Sequence, residues 1–241
     1  MKSIKLFLNR SSFIDHSLSF GIFVFIMITV FISCDSMTKK NTITPFNHTG
    51  ESTVMKTTYT SSYFIRKKFG KVVVDDKVFE STVDEYDSDG RLISRLDSGI
   101  LDNVEKSVYI YDEKGNNIEI NITDEYGTLQ EKKVNKINES GNIYEQTTYN
   151  SAGEEIAVFK FDYDKMGNQI SRKTYINEQY KFTTSYKYDN KGNIIYEWDG
   201  SIKNGQMTYD YEFDQKGNWI KGSKYEGGKK WLILKRDITY Y

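Results

Sequence analysis

Residues able to do acid-base or nucleophilic chemistry are few in this sequence. Its two histidines are His16 and His48, and its single cysteine is Cys34. All three precede the regular part of the sequence, so no Ser-His-Asp triad, Cys-His pair or histidine metal site is expected in a folded domain. A lone cysteine also excludes an internal disulfide and a multi-cysteine zinc site. We therefore predict a non-enzymatic protein without a metal or a cofactor.

Carboxylates remain as catalytic candidates, because a pair of acids can hydrolyse a glycosidic bond. One repeated sequence position, however, holds Asp112, Asp164, Asp189 and Asp214. Recurrence at one position is typical of structural use, which makes a carboxylate-based glycosidase the least favoured function. The segment DSDG at 87–90 is similar to the start of a calcium loop, but Ser98 stands where that loop needs a bidentate Glu.

Aromatic side chains offer another kind of site. The last third of the chain contains Trp198, Trp219, Trp231, Tyr196 and Tyr211. Exposed rings with nearby Asn and Asp would suit stacking on sugar rings, so a carbohydrate-binding module is one prediction. The alternative is that these rings form the core of a sheet. Only a contiguous exposed patch would indicate a site.

The N-terminus has the layout of an export signal. Basic residues precede the apolar run FGIFVFIMITVFISC, which begins at Phe20 and ends at Cys34. The end of the run, FISC, is similar to a bacterial lipobox, which implies cleavage before Cys34 and lipidation of its thiol. An uncleaved anchor helix and a non-lipidated signal are the alternatives. We predict a signal peptide over 1–33, a polar tether over 34–56 and a folded domain over 57–241.

This organisation predicts a location and the partners. The protein is expected in the bacterial cell envelope, held to the membrane by a lipid anchor and facing the periplasm or the exterior. The formal net charge of -1 gives no field that would attract nucleic acid. A glycan or an envelope protein is the expected partner, and surface binding or scaffolding is the expected function.

A six-residue pattern recurs through the second half of the chain. It runs YDSDGR, YDEKGN, INESGN, YDKMGN, YDNKGN and FDQKGN, and its glycines are spaced by 25, 26, 26, 25 and 25 residues. The first polar position accepts backbone hydrogen bonds and the Gly takes a left-handed conformation, which is typical of a hairpin turn. The predicted turn residues are Asp87, Gly90, Asp112, Gly115, Asn138, Gly141, Asp164, Gly167, Asp189, Gly192, Asp214 and Gly217.

Segments between the turns alternate in the way that strands do. Pairs such as YIY at 109–111 and YKY at 186–188 place two rings on one face of a sheet. Isoleucines two or three residues after the motif glycines are expected in the same apolar layer, at Ile118, Ile143, Ile170, Ile195 and Ile220. We predict an all-β fold, a long antiparallel meander of six hairpin repeats that forms a curved open sheet or a partial roll.

The aromatic-Asp-x-x-Gly-Asn pattern over 86–220 resembles the YD repeat of the RHS family. That resemblance implies a winding β-sheet and a role at the cell surface or in secretion, and some family members are described as carbohydrate-binding. Six copies are too few for the toxin-enclosing shell of the large members, and no toxin domain follows the repeats within this sequence. The resemblance therefore supports the sheet rather than encapsulation.

Overall fold

A computed structural model describes residues 54–69, 71–99 and 104–241, and all of its regular elements are β-strands. The strands are β1 (Met55–Lys68), β2 (Lys71–Tyr86), β3 (Leu92–Ser98), β4 (Val104–Tyr111), β5 (Asn117–Asp124), β6 (Leu129–Ile137), β7 (Ile143–Asn150), β8 (Glu155–Tyr163), β9 (Gln169–Ile176), β10 (Gln179–Tyr188), β11 (Ile194–Asp199), β12 (Gln206–Phe213), β13 (Trp219–Glu226) and β14 (Lys229–Tyr240).

The sheet closes into a barrel of 14 strands, so the prediction of an open sheet or a partial roll was wrong. Consecutive strands pair antiparallel, and β1 pairs with β14 from Thr57–Thr239 to Phe64–Leu232. The closing strands lie outside the six clear repeats, so counting repeats underestimated the sheet. A twisted open sheet rarely exceeds about ten strands without curling or splitting, and closure removes both exposed edges.

The motif turns are fixed by the side chain at their first position. Oδ1 of Asp189 accepts hydrogen bonds from the backbone N–H groups of Lys191 (2.9 Å) and Asn193 (2.8 Å), and Oδ2 accepts one from Asn193 Nδ2 (2.9 Å). Gly192 follows with φ at +89°. A capping Asp or Asn recurs at Asp87, Asp112, Asn138, Asp164 and Asp214, and a positive φ recurs at Gly90, Gly115, Gly141, Gly167 and Gly217.

The two ends of the barrel differ. The motif turns all follow even-numbered strands, so they lie together at what we call the motif end. The described chain also enters and leaves there, where the Tyr241 N–H donates to the Val54 carbonyl (3.2 Å). At the opposite end the β1–β2 hairpin continues past its neighbours, because β1 leaves β14 at Phe64 and β2 leaves β3 at Ser81. Its tip residue Phe69 is fully exposed.

Alternate residues of each strand form an inner and an outer wall. Tyr186 and Ile194 pack in an inner cluster with Met207 and Tyr209. Isoleucine three residues after a motif glycine instead points outward and is 37–40% exposed, at Ile118, Ile170, Ile195 and Ile220. The expectation that the isoleucines share a layer with the rings was therefore wrong for these four, whereas Ile143, two residues after Gly141, faces the interior of the barrel as the rings do. The side-chain period of two separates positions that differ by one residue.

The outer wall carries ion pairs beside exposed apolar residues such as Leu96, Val108 and Trp198. The pairs cross from strand to strand, as between Lys132 and Glu119 (2.9 Å) and between Lys173 and Asp162 (3.0 Å). Glu145 lies between two lysines, Lys136 (2.7 Å) and Lys160 (3.6 Å).

Candidate functional site

The inner wall encloses a cavity of 1330 Å³ at the motif end. Side chains from β3 to β10 line it, and the motif turns from 89–92 to 191–192 surround its mouth. Pockets for drug-sized ligands measure roughly 300–1,000 Å³, so this cavity has room for a sizeable molecule.

Aromatic rings form one side of the cavity. Strand β8 contributes Phe159, Phe161 and Tyr163 at alternate positions, and β10 contributes Tyr186 and Tyr188. Alternation along each strand therefore aims consecutive rings into the same space. Leu92, Ile120 and Ile122 face the cavity from β3 and β5, so part of its wall is apolar.

Tyrosine hydroxyls hold neighbouring repeats together around the mouth. Tyr188 donates to the Gln169 carbonyl (2.7 Å), and Tyr163 donates to the Ile143 carbonyl (2.6 Å). Each accepting residue lies two positions after a motif glycine, as also in the pair Tyr111–Leu92 (2.8 Å). In the sixth repeat Phe213 holds the motif position, and Tyr211, two residues earlier, donates to the Ile194 carbonyl (2.9 Å). Burial raises the pKa of Tyr111 to about 12, so its hydroxyl stays protonated at neutral pH. The motif tyrosine is thus a clamp between strands as well as a ring.

The third repeat lacks that tyrosine and has another clamp. Ile137 occupies the motif position there, and Asn135, two residues earlier, donates from Nδ2 to the Asn117 carbonyl (3.1 Å). Asn117 is again two residues after a motif glycine. A hydrogen bond at this place is therefore kept where the residue type changes.

Two cationic side chains reach the cavity from β6 and β9. Lys133 and Arg172 are each 5% exposed and both line the cavity. The Arg172 guanidinium lies 5.5 Å from the centroid of the Phe159 ring. Burial lowers the pKa of Lys133; Glu131 opposes this, and the charge of Arg172 lowers the pKa further. The cavity therefore combines an apolar wall with two positive groups.

A buried ion pair lies on the inner wall near the motif end. Arg95 donates from Nε and Nη2 to the two carboxylate oxygens of Asp84, at 2.6 and 2.8 Å. Burial alone would lower the pKa of Arg95, but the charges of Asp84, Tyr109 and Asp97 and the hydrogen bonds to Asp84 together outweigh it, and the pKa lies well above its ordinary value. Both side chains are less than 5% exposed, so the pair replaces water with a two-point contact.

The aromatic residues predicted as a sugar site do not form one surface. Trp198 (39% exposed) lies on the outer wall, as does Tyr196, whose ring lies 5.0 Å from Lys187 Nζ. Trp219 and Tyr211 pack on each other with ring centroids 5.7 Å apart. Trp231 contacts Phe64 (6.0 Å between centroids), towards the opposite end. The five residues are thus divided among separate environments.

Several predictions fall on residues outside the described part. They are the signal peptide over 1–33, lipidated Cys34, most of the tether over 34–56, and both histidines. Strand β1 begins at Met55, two residues before the predicted domain boundary. Over 54–69, 71–99 and 104–241, no helix is long and apolar enough to cross a membrane. Within those same ranges no group of three or more His, Cys, Asp or Glu residues could hold a metal ion.

Comparisons give no family and only distant structural similarity. No family model matches, and no curated protein matches. A porin-like protein from Bacteroides uniformis has a TM-score of 0.46 and 11% identity, over 78% of this chain and 98% of that one. The Photorhabdus luminescens Tc holotoxin pore has a TM-score of 0.28 and 15% identity, over 69% of this chain and 10% of that one. A DUF1329 family protein from Desulfovibrio piger has a TM-score of 0.28 and 9% identity, over 78% and 87%.

Sequence reasoning missed the residues that line the cavity. Its site candidates were aromatic residues near the C-terminus, whereas the cavity is lined from β3 to β10. A signal was available in the spacing from each motif glycine. Positions two and five residues after it face inward, as Gln169 and Arg172 do after Gly167, because a register shift between Asp162 and Tyr163 leaves one extra residue at the start of β9. Counting from the glycines would have identified Arg172 as an inner cation.

Proposed function

We propose that this protein is a non-catalytic binding protein of the bacterial cell envelope that takes its ligand into the motif-end cavity. The observation that carries the proposal is the 1330 Å³ cavity inside a closed barrel, where aromatic and aliphatic side chains stand beside polar and charged ones. The envelope location rests on the export and lipidation signals that end at Cys34.

The closed wall supports binding within the barrel over binding along an edge. Strands β1 to β14 are paired on both sides over most of their lengths, so backbone groups there are already used. A ligand would instead meet side chains, and the cavity is where those side chains converge. The tyrosine clamps tie the strands together around the mouth and so pre-organise the cavity, which reduces the entropy lost on binding.

A matched pair of tryptophan substitutions on β7 tests this proposal. Gln146 lines the cavity, whereas Tyr144 is 45% exposed on the outer wall. Native mass spectrometry would measure small molecules retained by the purified chain after incubation with an extract of bacterial envelopes. We expect retention by the wild type and by Tyr144→Trp, and loss in Gln146→Trp because the added indole fills the cavity. Equal retention by both variants, or no retention by the wild type, would contradict the proposal.

A further inference from the structure

We infer that the ligand is an amphiphile with an apolar body and an anionic head, and that the head binds at Arg172 and Lys133. This inference rests on the proposed function, because it names the class of molecule that the same cavity accepts. Acyl carboxylates and acyl phosphates share this chemistry.

The body would contact the aromatic and aliphatic wall. Phe159, Phe161 and Tyr186 line the cavity beside Ile120 and Ile122. Burial of apolar surface contributes about 25 cal/mol per Å², so an acyl or aryl body is favoured there over a wholly polar one. The tyrosine hydroxyls at 163 and 188 are directed to backbone carbonyls, which leaves their rings as the surface offered to a ligand.

The head would lie at the two inner cations. Arg172 and Lys133 line the cavity, and both also interact within the barrel wall. Arg172 Nη2 donates to Thr184 Oγ1 (3.5 Å), and the charges of Glu131, Glu105 and Asp97 act on Lys133. A guanidinium also offers paired donors that match the oxygens of a carboxylate or a phosphate.

A buried hydroxyl supplies a further donor in the same wall. Tyr109 is 6% exposed, lines the cavity, and has no hydrogen-bond partner for its hydroxyl among the described residues. Burial is the main cause that raises the pKa of Tyr109, so the group remains a donor at neutral pH. A buried donor without an acceptor is unfavourable, and a ligand oxygen would satisfy it.

Dodecyl compounds with different heads test the inference on the purified chain. Calorimetric titrations would compare laurate and dodecyl phosphate with dodecyl maltoside and dodecyltrimethylammonium, all below their micelle concentrations. We expect at least one anionic compound to bind about tenfold or more tightly than the neutral and cationic ones. Preference for laurate or for dodecyl phosphate then distinguishes a fatty acid from a phosphate-bearing lipid. Equal affinity for all heads would overturn the inference.

Charge-removing variants locate the head. Arg172→Gln and Lys133→Gln should each weaken binding of the favoured anionic compound about tenfold while leaving the affinity for dodecyl maltoside unchanged. The matched control is Lys173→Gln, whose side chain pairs with Asp162 on the outer wall (3.0 Å). The same loss in Lys173→Gln would overturn the assignment. Retention of an envelope molecule without binding of any dodecyl anion would overturn the inference and leave the proposed function standing.

Discussion

Carboxylates on the inner and outer walls differ in the direction of their pKa shifts. On the inner wall, burial raises the pKa values of Asp97, Glu105 and Glu131. On the outer wall, a hydrogen bond from Lys132 lowers the pKa of Glu119, and one from Lys136 lowers that of Glu145. Acidic residues on neighbouring strands thus have pKa shifts of opposite direction, because one side chain lies in the confined interior and the other lies on the outer surface.

The effect of a substitution on stability is therefore expected to depend more on which wall the residue faces than on the type of residue. The inner wall holds charges and hydroxyls in two-point contacts or clamps with little water. The outer wall holds similar groups in exposed pairs, which contribute little.

The largest expected difference concerns ion pairs. Asp84→Ala leaves the Arg95 guanidinium buried without its carboxylate, and we expect a loss of about 3–5 kcal/mol in the free energy of unfolding. The control Asp162→Ala removes the outer-wall pair with Lys173 and should cost about 0–1 kcal/mol. Urea denaturation measures both. Similar losses would mean that the walls do not differ in this respect.

A hydroxyl comparison should give the next largest effect. Tyr188→Phe leaves the Gln169 carbonyl without its donor at the cavity mouth, with an expected loss of about 1–3 kcal/mol. Tyr196→Phe on the outer wall keeps the ring beside Lys187 and should change stability by less than about 0.5 kcal/mol. Chemical denaturation of the two variants checks this. Equal midpoints would remove the clamp interpretation.

The turns decide which residue faces which wall, and their glycines test this directly. Gly192→Val should cost about 1–2 kcal/mol because valine at positive φ is strained. An added Cβ would come no closer than 3.8 Å to Asn168 Oδ1, so the loss would report the backbone conformation. Gly99 lacks a positive φ and has no atom near such a Cβ, which makes Gly99→Val the control. A melting temperature unchanged in Gly192→Val would contradict the left-handed assignment.

The smallest expected effect is on how stability depends on pH, and its sign differs between the inner and outer walls. The folded chain holds the Glu105 proton more tightly than the unfolded chain, because burial and the charges of Glu131 and Asp97 raise its pKa above 4.5. Stability linked to Glu105 is therefore lost as pH rises through the folded-state pKa. Glu105→Gln should exceed the wild type in melting temperature at neutral pH, and the gap should shrink below the ordinary pKa.

Glu119→Gln on the outer wall is the matched variant with the opposite sign. The hydrogen bond from Lys132 lowers the pKa of Glu119, so its contribution is present above 4.5 and lost as pH falls through the folded-state pKa. The variant should melt below the wild type at neutral pH and match it in acid. Melting curves across pH that shift both variants in one direction would refute the comparison.

Sequence patterns predicted the strands and turns but not the closure. The motif predicts a hairpin turn because the contacts that form the turn are local. Asp189, Gly192 and Asn193 lie within five residues of one another and make these contacts among themselves and their neighbours. Closure depends on β1 and β14, whose irregular sequences lie outside the clear repeats, and on twist summed over all the strands. Neither is visible in a single repeat.

The cavity was harder to predict than the fold for a similar reason. Arg172 and Lys133 belong to different repeats and share only the cavity that both line. Their sequence contexts resemble those of outer lysines such as Lys173, so composition could not separate them. The number of residues after the motif glycine distinguishes the inward-facing Arg172 from the outward-facing Lys173. That distinction requires knowing which positions after the glycine face inward.

Pairing of the first strand with the last gives the fold an unusual folding order. Every other pairing joins consecutive strands and can form as soon as the chain between them is available. The closing contact between Thr57 and Thr239 spans 182 residues, so it carries nearly the full loop-closure entropy of the domain. Until β14 arrives, the growing sheet has two open edges able to recruit other strands. A ribosome or an export channel that releases this chain slowly therefore leaves both sheet edges open to pairing with other strands until β14 is free.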